Sequence, residues 1–121
     1  MAATTSISVN NLAAVSQTFN PSVQIDKGYE YRNGASTIAA PQTLEITHDM
    51  KAASSTSNDK HSVTFKQARA NAVGSMRTGY LSLSISVPKD GLTTTDVSDL
   101  GAYIRNFVTD ANLSKLLLGQ Y

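Results

Sequence analysis

Apolar and polar residues alternate most cleanly in GYLSLSISVPKDG, Gly79 to Gly91. Leu81, Leu83, Ile85 and Val87 fall in one phase, and Tyr80, Ser82, Ser84 and Ser86 in the other. Successive side chains of a strand point to opposite faces, so this stretch predicts a half-buried strand. Pro88 ends it, having no N–H to give a ladder. The polar phase is a rail of neutral hydroxyls led by one tyrosine, where a merely wetted surface would carry Lys and Glu. What that rail faces is the question the sequence poses.

The same alternation recurs upstream. TLEITHDMKAA sets Leu44, Ile46 and Met50 in one phase together with His48, and Glu45, Thr47, Asp49 and Lys51 in the other. KHSVTFKQA sets Val63 and Phe65, with His61, against Ser62, Thr64 and Lys66. The turn-forming cluster SSTSND separates the two, which together predict an antiparallel hairpin with one oily and one polar face. Nearer the start, TSISVNN and AVSQTF predict a strand and its return, closed at Asn20-Pro21, with Val23 and Ile25 opening a further short piece. KGYEYRNG places Tyr29 and Tyr31 on one face ahead of an Asn33-Gly34 turn. ASTIAAP reads as a loop or brief edge strand, and RANAVGSMRTG as a long flexible connection.

After residue 93 the period changes. Val97, Leu100, Ile104, Phe107 and Val108 recur at helical spacing, with Thr95 or Asp96 able to cap the start. A second short helix carries Leu113, Leu116 and Leu117, begins at Asp110 or Asn112 and stops at Gly119. The fold class is therefore α+β in a single domain spanning 1–121: a hairpin and antiparallel sheet over 1–93, then helices over 94–121. The sheet's oily face comprises Leu44, Ile46, Met50, Val63, Phe65, Leu81, Leu83, Ile85 and Val87. Burying a large apolar side chain is worth about 1.5–3 kcal/mol, so this face requires a cover, from this chain's helices or a partner's.

Composition narrows the function classes. The 121 residues include no cysteine, which excludes disulfides, Cys-based zinc sites and thiol catalysis. The opening MAATTSISVNN lacks the basic and apolar regions of a signal peptide, no apolar run is long enough to span a membrane, and Ala2 is small enough to allow removal of Met1. Net charge is only +1, but its distribution is uneven. Lys51, Lys60, Lys66, Arg69 and Arg77 are opposed in the middle stretch by Asp59 alone, whereas the last part carries Asp90, Asp96, Asp99 and Asp110. A basic middle suits a surface that meets an anion, and equally a set of solvated charges.

No enzymatic constellation emerges. The two histidines, His48 and His61, lie in phase with the oily residues, where a hydrogen-bonded structural role is expected, and no carboxylate stands at a metal-ligand spacing beside them. There is no phosphate-cradling glycine loop, nucleophile elbow or HExxH. Neither a catalytic residue, a metal centre nor a cofactor is expected. What remains is the polar sheet face: Thr47, Asp49, Lys51, Lys60, Ser62, Thr64, Lys66, Tyr80, Ser82 and Ser84. Lysines for phosphate, hydroxyls for base edges and one ring for stacking are the ingredients of single-stranded RNA recognition on a sheet. The same residues also suit a β-surface with no ligand.

The order of parts resembles the coat protein of the small single-stranded RNA bacteriophages (levivirus-like). The closest local matches are KAASSTSNDKHSVTFK, Lys51 to Lys66, and GYLSLSISVPK, Gly79 to Lys89, and ANLSKLLLGQY resembles the way such coats end. The resemblance implies a homodimer in which each chain lays its helices across its partner's sheet, with Leu100, Ile104, Phe107, Leu113, Leu116 and Leu117 at the dimer interface. It implies a many-subunit icosahedral shell around viral single-stranded RNA, with the polar face turned inward and gripping an RNA hairpin as translational repressor and packaging signal. The chain would then reside in the virion, assembled in the host bacterial cytoplasm, with no membrane partner.

Carried over residue by residue, the resemblance is uneven. Thr47 falls on a base-contacting Thr, Lys51 on a basic residue, Lys60 on a phosphate-facing Lys and Tyr80 on the stacking Tyr. Ser62 replaces a Thr, Asp49 a small hydroxyl and Thr64 a Lys that Lys66 partly replaces, while Ser82 and Ser84 stand where Asn and Glu occur. The stretch Arg69 to Gly79 resembles the loop that changes shape at the shell's symmetry axes. Two other readings of the polar face stand beside this one: a stand-alone β-sheet RNA-binding regulator that builds no shell, and a structural or adhesion subunit without a nucleic-acid role.

Overall fold

The computed structural model describes residues 5–120, so the expected removal of Met1 lies outside the described residues. Six strands precede two helices: β1 (Ile7–Asn10), β2 (Ser16–Ile25), β3 (Gly28–Asn33), β4 (Gln42–Asp49), β5 (Asp59–Ala70), β6 (Met76–Val87), α1 (Thr94–Phe107) and α2 (Asp110–Leu117). The chain divides into two compact units between Val87 and Pro88.

The first unit is one antiparallel sheet in which every strand pairs with its neighbour in sequence, in the order β1 to β6. Register aligns the apolar phases into rows: Tyr31, Leu44, Phe65 and Leu81 in one, Tyr29, Ile46, Val63 and Leu83 in the next. Phe19, Tyr31 and Leu44 are buried at the centre, with Ile7, Tyr29, Ile46, Val63 and Phe65 packed against them. The rings of Phe19 and Phe65 meet edge to face with centroids 5.6 Å apart. Their strands are three places apart, which in a flat sheet would separate them by roughly 14 Å. The sheet therefore curls, with its apolar face inside.

Close strand approach depends on Gly28, where a Cβ would lie 1.9 Å from the Ile46 carbonyl oxygen. An amide chain crosses the strands at the other end of this face. The side-chain N–H groups of the buried Asn33 donate to Gln17 and Gln42, and Gln42 donates in turn to Gln67. These bonds satisfy polar groups that would otherwise destabilise a buried position.

Three sequence expectations change. Asn20-Pro21 does not close a strand: β2 runs on to Ile25, with a bulge between Pro21 and Val23 that accommodates the missing N–H of proline. Met50 lies one residue beyond β4 and is exposed, because Asp49 with Lys60 is the last pair of that ladder. RANAVGSMRTG is not a long loop. β5 and β6 stay paired out to Ala70 and Met76, leaving Asn71 to Ser75 as the turn. The Asn71 carboxamide oxygen accepts from the Val73 and Ser75 N–H groups, and Gly74 takes the left-handed conformation at φ 84°. Small and polar residues at Ala68, Ala70, Thr78 and Gly79 hide the alternation that continues there.

In the second unit α1 opens on a capping box. Thr93 Oγ1 accepts the Asp96 N–H, and the Asp96 carboxylate accepts the Thr93 N–H, so Thr93 is the cap rather than Thr95 or Asp96. Thr109 caps α2 in the same way through the Asn112 N–H, displacing the expected Asp110 or Asn112. Val108 lies outside α1 as its C-cap, and Gly119 follows α2 at φ 68°, the expected stop. Neither helix contains a buried residue.

Candidate nucleic-acid interface

On the face opposite the core, register builds a lattice of polar side chains across β4, β5 and β6. Its rows are Thr43, Lys66 and Tyr80; Glu45, Thr64 and Ser82; Thr47, Ser62 and Ser84; and Asp49, Lys60 and Ser86. Of the ten residues expected to contact RNA, nine stand in these rows, and Lys51 follows at the end of β4. Thr43 and Ser86 complete the outer rows. Ser86 shares the phase of the serine rail, and Thr43 that of Glu45 and Thr47, so the alternation was the signal for both. Arg32 and Glu30 extend the lattice through β3, opposite Thr43 and Glu45. Only register reveals that extension, because KGYEYRNG alone does not say which strand it joins.

Hydroxyls along the lattice bond to one another across the strands: Thr47 with Ser62, and Thr64 with Ser82 at 2.9 Å. Each hydroxyl keeps a further lone pair for a ligand. Charges on this face are partly self-neutralised. Lys66 meets Glu45 at 3.0 Å, Arg32 meets Glu30 at 3.9 Å, and Asp49 is held by Lys51 at 2.9 Å and Lys27 at 3.4 Å. The hydrogen bond from Lys51, with Lys27 assisting, lowers the Asp49 carboxyl below its ordinary range against a smaller opposing effect of desolvation. Lys51 is also fixed by its backbone N–H, which donates to the Asp59 carboxylate. Lys60 makes no ion pair among the described residues and is exposed. Tyr80 stands 71% exposed on the edge strand, opposite Lys66. A free ring beside an ammonium, one unpaired lysine and a grid of hydroxyls can stack a base, neutralise a phosphate and bond to base edges.

No protein-family model matches the chain, and no curated protein matches it. Solved structures do match. A chain from the virus-like particle of bacteriophage GQ-907 superposes with a TM-score of 0.77 at 16% identity, covering 92% of this chain and 88% of that one. For the virus-like particle of Beihai levi-like virus 21 the values are 0.74 and 13%, covering 96% and 94%. For that of bacteriophage AVE019 they are 0.70 and 15%, covering 97% and 95%. The chain has the fold of these particle proteins.

The particle fold persists here although few residues are held in common, because strand order and alternation are met by many sequences. Three features of the surface stand out. β6 is an edge strand of 12 residues, with a partner on one side only among the described residues. Leu81 and Leu83 on it remain exposed. In the helix unit Leu100, Ile104, Phe107, Leu116 and Leu117 are likewise exposed, while Leu113 is half-buried. Among the described residues no helix is long and apolar enough to cross a membrane.

Proposed function

We propose that this chain is a bacteriophage coat protein that dimerises, assembles into an icosahedral shell and encloses single-stranded RNA against the polar lattice of its sheet. The observation that carries the reading is the fold held in common with virus-like-particle chains over more than nine-tenths of the chain. The long unpaired edge of β6 supports dimerisation. Such an edge is a template for another strand, and two copies pairing there would make one continuous sheet. The exposed leucines of β6 and the apolar stripe of the helices supply matching surface for an interlocked pair. Thr47, Lys51, Lys60, Ser62, Thr64, Lys66, Tyr80, Ser82 and Ser84 then form the inward RNA surface. Asp49 shapes that surface by holding Lys51 and Lys27 rather than by touching phosphate. Assembly takes place in the host bacterial cytoplasm, and the product is the virion.

Size-exclusion chromatography of the expressed chain tests this, with the absorbance ratio and electron microscopy of the leading peak. Round particles containing RNA are expected. A small species free of nucleic acid would overturn the shell, and a small species that binds RNA would turn the reading to a stand-alone regulator.

A further inference from the structure

In phase with the apolar residues of β4 and β5, the two histidines of the chain come together. His48 of β4 and His61 of β5 are direct cross-strand partners, and their Nδ1 atoms lie 2.8 Å apart. The rings face each other with centroids 5.0 Å apart and planes inclined at 69°. They border a cavity of about 620 Å³ that takes in Asp26 and Lys27 at the β2–β3 turn, Ile85 on β6, and lattice residues that include Asp49, Lys60 and Ser86. His48 is exposed, so the pair is reachable from solvent.

We propose that His48 and His61 chelate a borderline divalent transition metal of the nickel(II) or copper(II) class. Two imidazole nitrogens bound at about 2.0–2.1 Å in right-angled positions lie about 2.9 Å apart, whereas a tetrahedral ion sets them about 3.4 Å apart. The observed 2.8 Å is a hydrogen-bond separation, and it places both Nδ1 atoms within the span of two adjacent positions on one ion. On binding, the ring that donates this hydrogen bond gives up its Nδ1 proton and takes the Nε2–H tautomer through solvent exchange, so that both Nδ1 lone pairs are free for the ion. The hairpin fixes the backbone spacing in advance, because the two residues are in register in an eight-pair ladder. Of the two lysines lining this cavity, Lys27 has its ammonium held by Asp49 at 3.4 Å. Among the described residues no third His, Cys, Asp or Glu completes the group, so water fills the remaining positions. That excludes the closed tetrahedral zinc centre and makes the site one of moderate affinity.

Because the chain contains only two histidines, the test is clean. The full chain, bearing no histidine tag, is titrated with nickel(II) chloride by calorimetry and compared with His48→Gln, His61→Gln and the double variant. One ion per chain is expected, with each single variant weakened about 10²-fold, as far as the double one, because chelation is lost when either ring goes. Single variants that keep the original affinity, or two independent ions per chain, would overturn the proposal. A readout on the unaltered chain guards against misfolded variants: one equivalent of paramagnetic nickel(II) should broaden the ring-proton NMR signals of both histidines together. Broadening of neither, or of one alone, would also overturn it.

Discussion

The residues of the polar lattice divide into those that face solvent freely and those tied to each other, and the two groups should respond differently to change. Tyr80 is largely exposed, so Tyr80→Ala should leave thermal unfolding nearly unchanged while weakening the proposed RNA binding by about 1–3 kcal/mol, the worth of one stacked base. Filter binding at fixed salt would check this, and unaltered affinity would remove Tyr80 from the interface. Leu44 is the opposite case, with 1% of its surface exposed at the centre of the sheet. Leu44→Ala should cost about 2–5 kcal/mol, read as a shift in the urea midpoint. Asp49 adds a pH dependence. Its carboxyl is held below the ordinary value, so the ion pairs it makes contribute stability above that range and lose it as pH falls through the folded-state value. Wild type should therefore lose more stability than Asp49→Asn between pH 7 and 3, by a small margin because the carboxylate is partly exposed, and urea midpoints at the two pH values measure the difference. At this scale the sequence was informative. The alternation in TLEITH and GYLSLSIS named nearly every lattice residue, because one residue of phase decides the face. It could not say that Glu45 would take Lys66, or Asp49 take Lys51 and Lys27. Those pairings depend on which strands lie side by side.

Elements were legible wherever local chemistry decides them. Both helices and the β4–β5 hairpin are where period and turn residues predict, with caps shifted by one to three residues because Thr93 and Thr109, rather than their neighbours, reach back to the first free N–H groups. Where small residues carry an element, the signal faded: the distal halves of β5 and β6 read as a loop because Ala68, Ala70 and Gly79 give no apolar phase. The helix stripe has an expected consequence of its own. In the proposed interlocked dimer, a charge at Leu100 or Ile104, as in Ile104→Asp, should abolish the soluble dimer, since these side chains are exposed in the single chain and would be covered by the partner. Analytical ultracentrifugation decides it, and a well-folded monomer or an unperturbed dimer would count against interlocking.

For the whole molecule, the proposed RNA retention would be governed by charge. Ion pairing inside the lattice leaves Lys60 as its unpaired lysine among the described residues. A modest phosphate count follows, and with it a shallow salt dependence, since each neutralised phosphate of a single strand contributes about −0.7 to the slope of log K against log salt. Lys60→Ala should flatten that slope by about that amount and weaken binding evenly across RNA sequences. A slope unchanged by the substitution would argue that the RNA lies elsewhere.

By itself, the sequence determined the α+β order and the two faces of the sheet, because alternation and helical spacing are properties of adjacent residues. Tertiary structure alone decided the curl that brings Phe19 onto Phe65, the amide chain through Asn33, the ion pairs that spend most of the lattice's charge, and the meeting of His48 with His61. Each of these joins residues distant in the chain. Their contact is fixed by register and curvature, which no single stretch of sequence encodes.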